Sequence, residues 1–376
     1  MVLAAHARVT DMRIALVGEF SGVHTNLKIG LEQIGHEAVT VSGGDGFKGF
    51  GADRLYRPST SRLSLAHHLF VEQPRLLSEL ARTCDVIQFI HPSALTLPRH
   101  ARVGYARWVY SFLRGFRGVL AIAVAGCDSY VQPLMAASPF SACAGCLTDS
   151  GRPTCTLDLD TIAEHGVANA LADRVDVVVP FASAVYADAY KSRCRRNVDP
   201  FNFPVELPPA STNWRNGPLR VLHGITRPGF KGTEAILRAV RGLVDRCPTD
   251  YELVTSEQLP YAEYTRLLLT VNVVVDQLYG GGLGMNALSA MARSRIVLSS
   301  FDRSFARGAV DYRDAPVYDI SSGEGAIVSA LETIQGWSAD ELASAGSRSR
   351  AYVGARCSPP EIARQLCAVW SRAGNM

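Results

Sequence analysis

A loop of four glycines lies between an apolar run and a short helical pattern, and this arrangement could bind an anion. The helical pattern runs from Asn286 to Ala292, and the glycines before it are Gly280, Gly281, Gly282 and Gly284. Glycine lets an anion approach the backbone, and a helix N-terminus offers free N–H groups and the positive end of its dipole. A diphosphate suits such a site. The alternative is a glycine-rich turn without a ligand, which is common in α/β proteins.

Two cations precede another predicted helix. Arg227 and Lys231 follow the apolar strand pattern Leu219 to Ile225 and come just before the helical pattern Thr233 to Arg246. A cation near the start of a helix is unfavourable unless an anion lies beside it. We therefore expect Arg227 and Lys231 to stabilise a bound diphosphate without a metal. A solvated pair beside a helix start is the alternative.

A histidine follows a strand pattern in the first half of the chain. His91 comes directly after the apolar stretch Cys84 to Ile90 and precedes Pro92. Ligands of open α/β sheets bind at the carboxyl ends of the strands, so His91 could face a substrate. A half-buried loop histidine explains the same pattern equally well.

Four of the nine cysteines have a spacing that could hold a metal. Cys143, Cys146 and Cys155 form C-x2-C-x8-C in a loop-like stretch, and Cys127 lies upstream at the end of a strand pattern. Four thiolates could bind a structural zinc ion. Plain reduced thiols are the alternative, because cysteine is also an ordinary small apolar residue. The odd number of cysteines fits a reduced compartment better than a disulfide framework.

The stretch from Pro98 to Arg117 predicts a helix with one apolar and one basic face. The basic face consists of Arg107, Tyr110, Arg114 and Arg117, and a second basic cluster consists of Lys191, Arg193, Arg195 and Arg196. Such a surface suits an anionic membrane or a phosphorylated acceptor. A core-packed helix with a solvated face is the alternative.

Length and composition favour a folded protein with two domains. The chain has 376 residues, too many for one ordinary core, and its 47% hydrophobic and 19% charged residues exclude a disordered chain. A formal charge of +3 gives no reason to expect nucleic acid as a partner. No apolar run approaches the ~20 residues of a membrane span, and the N-terminus lacks the apolar core of a secretory signal. We therefore expect a cytoplasmic protein whose membrane contact, if any, is peripheral.

Strand and helix patterns alternate in two series, and these elements must position the residues named above. In the first series Arg13 to Gly18 is a strand, Asn26 to Ile34 a helix and Ala38 to Val41 a strand, while residues 43–66 have a loop composition. The second series begins at Leu219. The predicted fold class is α/β, with two Rossmann-like doubly wound domains facing each other across a cleft. The first loop lacks the G-x-G-x-x-G spacing of a dinucleotide site.

The two series also predict domain boundaries. Residues 1–10 form a flexible extension, 11–200 the first domain, 201–217 a proline-rich linker, 218–358 the second domain, and 359–376 a C-terminal helix that could cross back to the first domain.

Three segments of the second series resemble the retaining family-four glycosyltransferases of the GT-B fold. VLHGITRPGFKGTEAILRAV is similar to their strand followed by Arg and a Lys-Gly helix start. LPYAEYTRLLLTVNVVVDQ is similar to the helix and strand before their donor loop, and GGLGMNALSAMARSRIVLS to their glycine loop and EAMA helix. The resemblance rests on the order and spacing of all three segments. The first half of the chain resembles the family only in its architecture and in the histidine that follows a strand.

The resemblance implies a retaining glycosyltransferase that moves a sugar from a nucleoside-diphosphate donor to a saccharide or lipid-linked acceptor, as in surface polysaccharide or glycoconjugate synthesis. It implies a donor in the second domain, an acceptor in the first, and no cofactor or catalytic metal. Arg227 and Lys231 would neutralise the diphosphate, and His91 would position the sugar or the acceptor. The implied donor-binding residues are Gly18, Gly22, Gly282, Leu283, Gly284, Met285, Asn286 and Ser289.

Two glutamates of the family pattern are replaced. Gly281 stands where a carboxylate normally lies near the transferred sugar, and Ser289 stands where another binds the ribose. Serine offers only a weaker, uncharged hydrogen bond. The alternative function is therefore a catalytically impaired glycosyltransferase-like protein that binds nucleotide or glycan and supports a partner, and an epimerase or phosphorylase of the same fold is a third. The sequence does not place the carboxylates of Glu19, Asp276 and Asp302 in the cleft.

Overall fold

The computed structural model describes residues 11–55, 61–92, 94, 107–138, 140, 168–191, 199–210 and 217–374. The predicted extension 1–10 and the cysteines Cys143, Cys146 and Cys155 lie outside these residues. The described residues form two parallel β-sheets with packed helices, which confirms the α/β class. We call the parts built on these sheets the first and the second domain.

The first sheet has six parallel strands. Its strands are Arg13–Val17 (β1), Glu37–Ser42 (β2), Arg54–Leu55 (β3), Val86–Phe89 (β4), Val119–Val124 (β5) and Val177–Pro180 (β6). Their order is β3-β2-β1-β4-β5-β6, so the direction of the strand order reverses between β1 and β4. β4 and β5 are buried along their whole length, as expected for a sheet with helices on both faces.

The second sheet has five parallel strands. They are Leu219–Ile225 (β7), Tyr251–Glu257 (β8), Val273–Val275 (β9), Ile296–Ser299 (β10) and Val317–Asp319 (β13), and a small antiparallel hairpin consists of Ala306–Arg307 (β11) and Val310–Asp311 (β12). The order is β13-β10-β9-β7-β8, so the reversal lies between β7 and β9.

Amphipathic helices cover the sheets. They include Val23–Gln33 (α1), Arg62–His67 (α2), Gln73–Thr83 (α3), Val131–Ala137 (α4), Ala184–Ala189 (α5), Pro228–Lys231 (α6), Thr233–Arg246 (α7), Tyr261–Leu268 (α8), Met285–Ala292 (α9), Glu324–Gln335 (α10), Ala339–Arg356 (α11) and Pro359–Gly374 (α12). In α7 the buried Ile236, Val240 and Leu243 have helical spacing and pack into the core of the second sheet. None of the helices in the described part of the chain is long and apolar enough to cross a membrane.

The last helix returns to the first sheet. α12 packs on α1, and the contact is closest at Gly30, where a Cβ would lie 2.1 Å from the Pro359 carbonyl oxygen. Any side chain at residue 30 would displace the start of α12. Trp370 of α12 is fully buried in a core that contains residues from both sheets.

The two domains share buried contacts near the predicted linker. Phe203 stacks on Phe181 with ring centroids 5.1 Å apart, and Phe201 and Val205 are also buried. The Tyr312 hydroxyl donates to the Ala182 carbonyl at 2.8 Å, which ties the second domain to the end of the first sheet.

The prediction of a loop over residues 43–66 is wrong in part. A 3-10 turn covers Gly46–Lys48, β3 pairs with β2, and α2 begins at Arg62. The Asp53 carboxylate accepts from the N–H and the hydroxyl of Thr40 and so holds β3 at the sheet edge. This side-chain contact is not visible in strand periodicity.

The helix predicted over Pro98 to Arg117 ends early. The chain leaves the helical conformation at Arg114, and Gly115 has a φ of 80°, which favours glycine. Tyr110 does not belong to an exposed face, because it is fully buried and its hydroxyl donates to the Pro92 carbonyl at 2.7 Å.

Candidate functional site

The carboxyl ends of both sheets border one cleft of about 470 Å³. The wall from the first domain consists of Phe20, Ser21, Asp45, Phe47, Lys48, Phe50, Ala125, Gly126 and Cys127. The wall from the second domain consists of Gly224, Ile225, Thr226, Arg227, Lys231, Ser256, Gln258, Leu259, Tyr261, Tyr264, Asp276, Gln277, Gly284, Met285, Asn286 and Ser289. In open α/β sheets this edge, near the reversal of strand order, is where ligands bind.

Lys231 and Asp276 form a buried ion pair in the second-domain wall. Lys231 Nζ donates to Asp276 Oδ1 at 2.9 Å, and the two side chains are 10% and 2% exposed. Asp276 directly follows β9, and Lys231 ends the short helix α6 after β7. The pair therefore joins the ends of two neighbouring strands.

Gly232 sets the direction of the backbone after Lys231. It has a φ of 69° and stands between α6 and α7. A Cβ there would lie 2.7 Å from the Leu278 Cβ, and the Leu278 N–H donates to the Lys231 carbonyl at 2.8 Å. The Lys-Gly pattern in the sequence thus has a steric origin, because a side chain at residue 232 would push α6 away from the loop after Asp276.

Asp276 accepts a second hydrogen bond from the start of α9. Asn286 Nδ2 donates to the same Oδ1 at 2.6 Å, and the Tyr264 hydroxyl donates to Asn286 Oδ1. Burial favours a raised pKa for Asp276, but the Lys231 ammonium and the Asn286 amide outweigh it and hold the pKa below its usual range. The Asp276 carboxylate is therefore ionised at neutral pH. Lys231 retains further N–H donors and lines the cleft.

His223 lies beside this pair as a neutral ring. Its Nδ1 donates to the Val275 carbonyl at 2.8 Å, and its Nε2 accepts from the Thr233 hydroxyl at 2.9 Å. Burial and the nearby Lys231 ammonium lower the pKa of His223 to about 4. His223 therefore connects β7, β9 and α7 without adding charge to the site.

Arg227 supplies a second cation at the cleft wall. It stands at the N-terminal end of α6, and its guanidinium carbon lies 3.9 Å from the centroid of the Phe230 ring. The side chain is exposed and lines the cleft. Stacking uses the face of the guanidinium, so its N–H edge can still bind an anion.

The second part of the glycine loop opens into the cleft. Gly284, Met285, Asn286 and Ser289 line it, and α9 begins at Met285. Gly284 is the N-cap and offers no side chain to the first N–H groups of the helix. These groups point from a helix N-terminus and suit an anion, as the sequence pattern predicts.

The first part of the loop contacts the first domain instead. The described residues that line the cleft do not include Gly282 or Leu283. A Cβ on Gly282 would lie 2.5 Å from the Ala182 carbonyl oxygen, and the Leu283 N–H donates to the Tyr312 hydroxyl at 3.2 Å. These contacts hold the loop against the first domain, and donor contacts of both residues stay a prediction.

Gly18 and Gly22 lie behind the first-domain wall. Their φ values are 86° and 85°. A Cβ on Gly18 would lie 2.5 Å from the Ile90 side chain, and one on Gly22 would lie 2.8 Å from the Phe50 ring, which lines the cleft. Both glycines allow close packing of the loop after β1.

His91 also supports this wall from behind. Its Nε2 donates to the Cys127 carbonyl at 3.0 Å, and its ring centroid lies 5.5 Å from that of Phe20. Burial lowers the pKa of His91, so the ring is neutral at pH 7. Phe20 and Cys127 line the cleft, so His91 lies behind two residues that a ligand there could contact.

Phe140 covers the position of the first missing carboxylate. A Cβ on Gly281 would lie 3.5 Å from the Phe140 Cβ, and the Gly280 N–H donates to the Phe140 carbonyl at 3.0 Å. A longer side chain at residue 281 would have to pass this ring. Ser289, at the second position, is 3% exposed and lines the cleft.

The predicted zinc site cannot be assembled from the described residues. Cys127 lies in the cleft wall, whereas its three predicted partners lie outside those residues. Within the described ranges, no group of three or more His, Cys, Asp or Glu side chains could hold a metal ion. The zinc site stays a prediction.

Solved structures with the same architecture cover nearly the whole chain. An α-glucosyltransferase in complex with UDP and a 13-mer DNA matches with a TM-score of 0.57 and 9% identity, over 96% of this chain and 100% of that one. Sucrose-phosphate synthase from Thermosynechococcus elongatus matches with a TM-score of 0.55 and 14% identity, over 96% and 98%. WaaG, a glycosyltransferase involved in lipopolysaccharide biosynthesis, matches with a TM-score of 0.54 and 10% identity, over 95% and 99%. The chain has the GT-B fold. No protein-family model matches the sequence, and no curated protein shows significant similarity to it.

Several residues of this GT-B cleft escaped the sequence patterns. Asp276 carried one usable signal, since it directly follows the buried strand β9. Asp45 and Lys48 lie in the stretch predicted as a loop, where no periodicity marks them. His223, buried within β7 beside the ion pair, also interrupts an apolar run.

Proposed function

We propose that this GT-B chain is a retaining glycosyltransferase that binds a nucleoside-diphosphate sugar on the second-domain wall and transfers the sugar to a saccharide or lipid-linked acceptor. The observation that carries the proposal is that Lys231, Arg227 and the N-terminus of α9 all line one cleft. A diphosphate matches two cations and unpaired backbone N–H groups. The α-glucosyltransferase of the same fold was solved with UDP.

Lys231 would stabilise the leaving group. Negative charge grows on the diphosphate as its bond to the sugar breaks, and an ammonium already held in place by Asp276 needs no reorganisation to meet that charge. Arg227 would bind a phosphate oxygen from the outer part of the wall. Two such cations would neutralise the charge of the diphosphate, as a divalent metal ion does in other enzymes, so we expect activity without added metal.

The start of α9 would hold the rest of the donor. Backbone N–H groups of Met285 and Asn286 would bind phosphate oxygens, and Ser289 would bind the ribose from one turn further along the helix. His91 would act through the Cys127 backbone, positioning the first-domain wall rather than touching the sugar.

A second function is favoured by the surroundings of Gly281. Residue 281 is a glycine, so it offers no carboxylate to the sugar where the resembling family has one, and Phe140 packs over the position. A nucleotide- or glycan-binding protein that supports a partner would need the donor site but not that carboxylate. Nucleotide affinity without turnover on any acceptor would favour this function.

The proposal is tested by release of nucleoside diphosphate from UDP-, GDP- and ADP-sugars in the presence of a panel of saccharide acceptors. We expect Lys231→Met to lower turnover by roughly 100-fold and Arg227→Ala by roughly tenfold, because each removes a charge-assisted contact to the leaving group. The matched control is Arg238→Ala, since Arg238 is exposed and pairs with Glu234 and Glu324 outside the cleft. Wild-type turnover in both cleft variants would refute the donor site.

We also propose that the first domain contacts an anionic membrane surface and that the protein is cytoplasmic. Arg107 and Arg114 are exposed, and the exposed rings of Trp108 and Phe70 lie 5.6 Å apart beside them. Arginine is attracted to anionic headgroups, and aromatic rings favour the membrane interface. Sedimentation with phosphatidylcholine vesicles, with and without phosphatidylserine, tests this contact, and an equal lack of binding to both would remove it.

A further inference from the structure

The first-domain wall carries a polar network that the proposed donor site does not use. Lys48 Nζ donates to Ser21 Oγ at 2.7 Å and to Asp45 Oδ2 at 3.1 Å. The Ser21 N–H donates to the same Asp45 oxygen at 2.6 Å. All three residues line the cleft, so the network presents one carboxylate, one ammonium and one hydroxyl to a ligand.

Ser21 holds a strained backbone conformation in this network. Its φ of 55° lies in the left-handed region, which is uncommon for a residue other than glycine. The hydrogen bond to Asp45 maintains the conformation. Strain of this kind persists where surrounding contacts impose it, and it concentrates at ligand sites.

An aromatic ring stands next to the network. Phe47 lines the cleft and is 37% exposed. Phe50 of the same loop contacts Tyr261 of α8 with ring centroids 4.6 Å apart. The loop is therefore held against α8 of the second domain.

We propose that Ser21, Asp45, Phe47 and Lys48 form a subsite for a neutral saccharide, which is the acceptor if the proposed transfer is correct. Asp45 and Lys48 neutralise each other, so the subsite offers hydrogen bonds to hydroxyl groups rather than a net charge. The Phe47 ring can cover the apolar C–H face of a pyranose. A phosphorylated ligand would be repelled by the Asp45 carboxylate. An acyl chain would bury the charged pair without offering it any hydrogen bond.

Binding of simple sugars to the full-length protein tests the subsite. The probes are methyl α-D-glucopyranoside, methyl α-D-mannopyranoside and N-acetylglucosamine, followed by saturation-transfer NMR in the presence of UDP, with glucose 6-phosphate as the charged comparison. We expect saturable binding of at least one neutral sugar. Phe47→Ala and Asp45→Asn should each weaken it roughly fivefold or more. Leu63→Ala is the control, because Leu63 is an apolar residue of the same domain that is 86% exposed and lies outside the cleft wall.

The outcomes separate this inference from the donor proposal, because UDP affinity is measured by calorimetry on the same samples. Normal UDP affinity with no neutral sugar bound contradicts the subsite, as does sugar binding that survives both Phe47→Ala and Asp45→Asn. Tighter binding of glucose 6-phosphate that depends on Lys48 alone also contradicts it. Sugar binding that is lost in both variants while UDP fails to bind supports the subsite and refutes the donor proposal.

Discussion

Lys231 Nζ lies 2.9 Å from Asp276 Oδ1, although the two residues are 45 positions apart in the sequence. The pair exists because β7 and β9 are neighbours and end at the same sheet edge. It holds a cation in the cleft at the point where the proposed diphosphate needs one.

Asp276→Asn should destabilise the free protein more than the nucleotide complex. Lys231 is 10% exposed and would lose its only charged partner in the described structure, which costs about 3 kcal/mol for a buried pair. UDP would supply a replacement anion, so the rise in melting temperature on adding UDP should be larger in the variant than in the wild type. Asp314→Asn, at an exposed carboxylate, is the control. A smaller rise in the variant would contradict the placement of the diphosphate at Lys231.

Gly232→Ala should cost more stability than Gly35→Ala. Both glycines have positive φ, at 69° and 94°, but a Cβ meets Leu278 at 2.7 Å only at residue 232, while nothing lies within 4 Å at residue 35. Backbone strain alone costs about 1 kcal/mol, and we expect the clash to add about 2 kcal/mol at residue 232. Chemical unfolding of both variants measures the difference. Equal losses of unfolding free energy would show that Leu278 moves to accommodate the Cβ and that Gly232 is required only for its positive φ.

Tyr312→Phe should weaken the contact between the domains. The hydroxyl donates to the Ala182 carbonyl and accepts from the Leu283 N–H, and all three residues are buried. Its removal leaves two buried backbone groups unpaired, at a cost of about 1–3 kcal/mol. Differential scanning calorimetry should show a lower melting temperature, whereas Tyr318→Phe, in a half-buried position on β13, should melt like the wild type. An unchanged Tyr312→Phe variant would argue against this bridge.

The stability of the protein should fall as the pH decreases from 6.5 toward 4. Burial lowers the pKa of both His24 and His223 from 6.5 to about 4, so the folded rings stay neutral while the unfolded rings take up protons. Since the unfolded state binds more protons in this window, each ring removes up to about 1.4 kcal/mol of unfolding free energy per pH unit. Above pH 6.5 both rings are mainly neutral in the folded and unfolded states, so they add little to the pH dependence of the unfolding free energy.

Melting temperatures between pH 7 and pH 5 measure this slope. His24→Gln should reduce it, whatever the variant's stability at pH 7. An unchanged slope in His24→Gln would mean that the pKa of His24 does not differ between the folded and unfolded states.

Sequence patterns predicted the second domain well because its signals are local. Thr233 to Arg246 and Leu219 to Ile225 have the bounds that apolar spacing and flanking residues indicated. The two doubly wound domains followed from the alternation of strands and helices, and the GT-B fold from the resemblance of three segments. The pairing of Lys231 with Asp276 could not be predicted, because it depends on which strands are neighbours in the sheet.

Contacts between distant segments explain the remaining differences. Phe140 packs over Gly281 from the other domain, and Tyr110 turns into the core to reach the Pro92 carbonyl. Neither contact has a periodic signal in the sequence. The polar network of Asp45 and Lys48 is hidden for the same reason, since its partner Ser21 lies in a different loop.

Calorimetric titration of UDP, GDP and ADP into the full-length protein tests the donor site most directly. We predict that at least one nucleoside diphosphate binds without added metal and that Lys231→Met weakens its affinity by roughly 10- to 100-fold, as expected for a lost charge-assisted contact. Arg238→Ala, at an exposed cation outside the cleft, should bind it like the wild type. A folded wild-type protein that binds none of the three, or equal affinities for the wild type and Lys231→Met, would contradict the account.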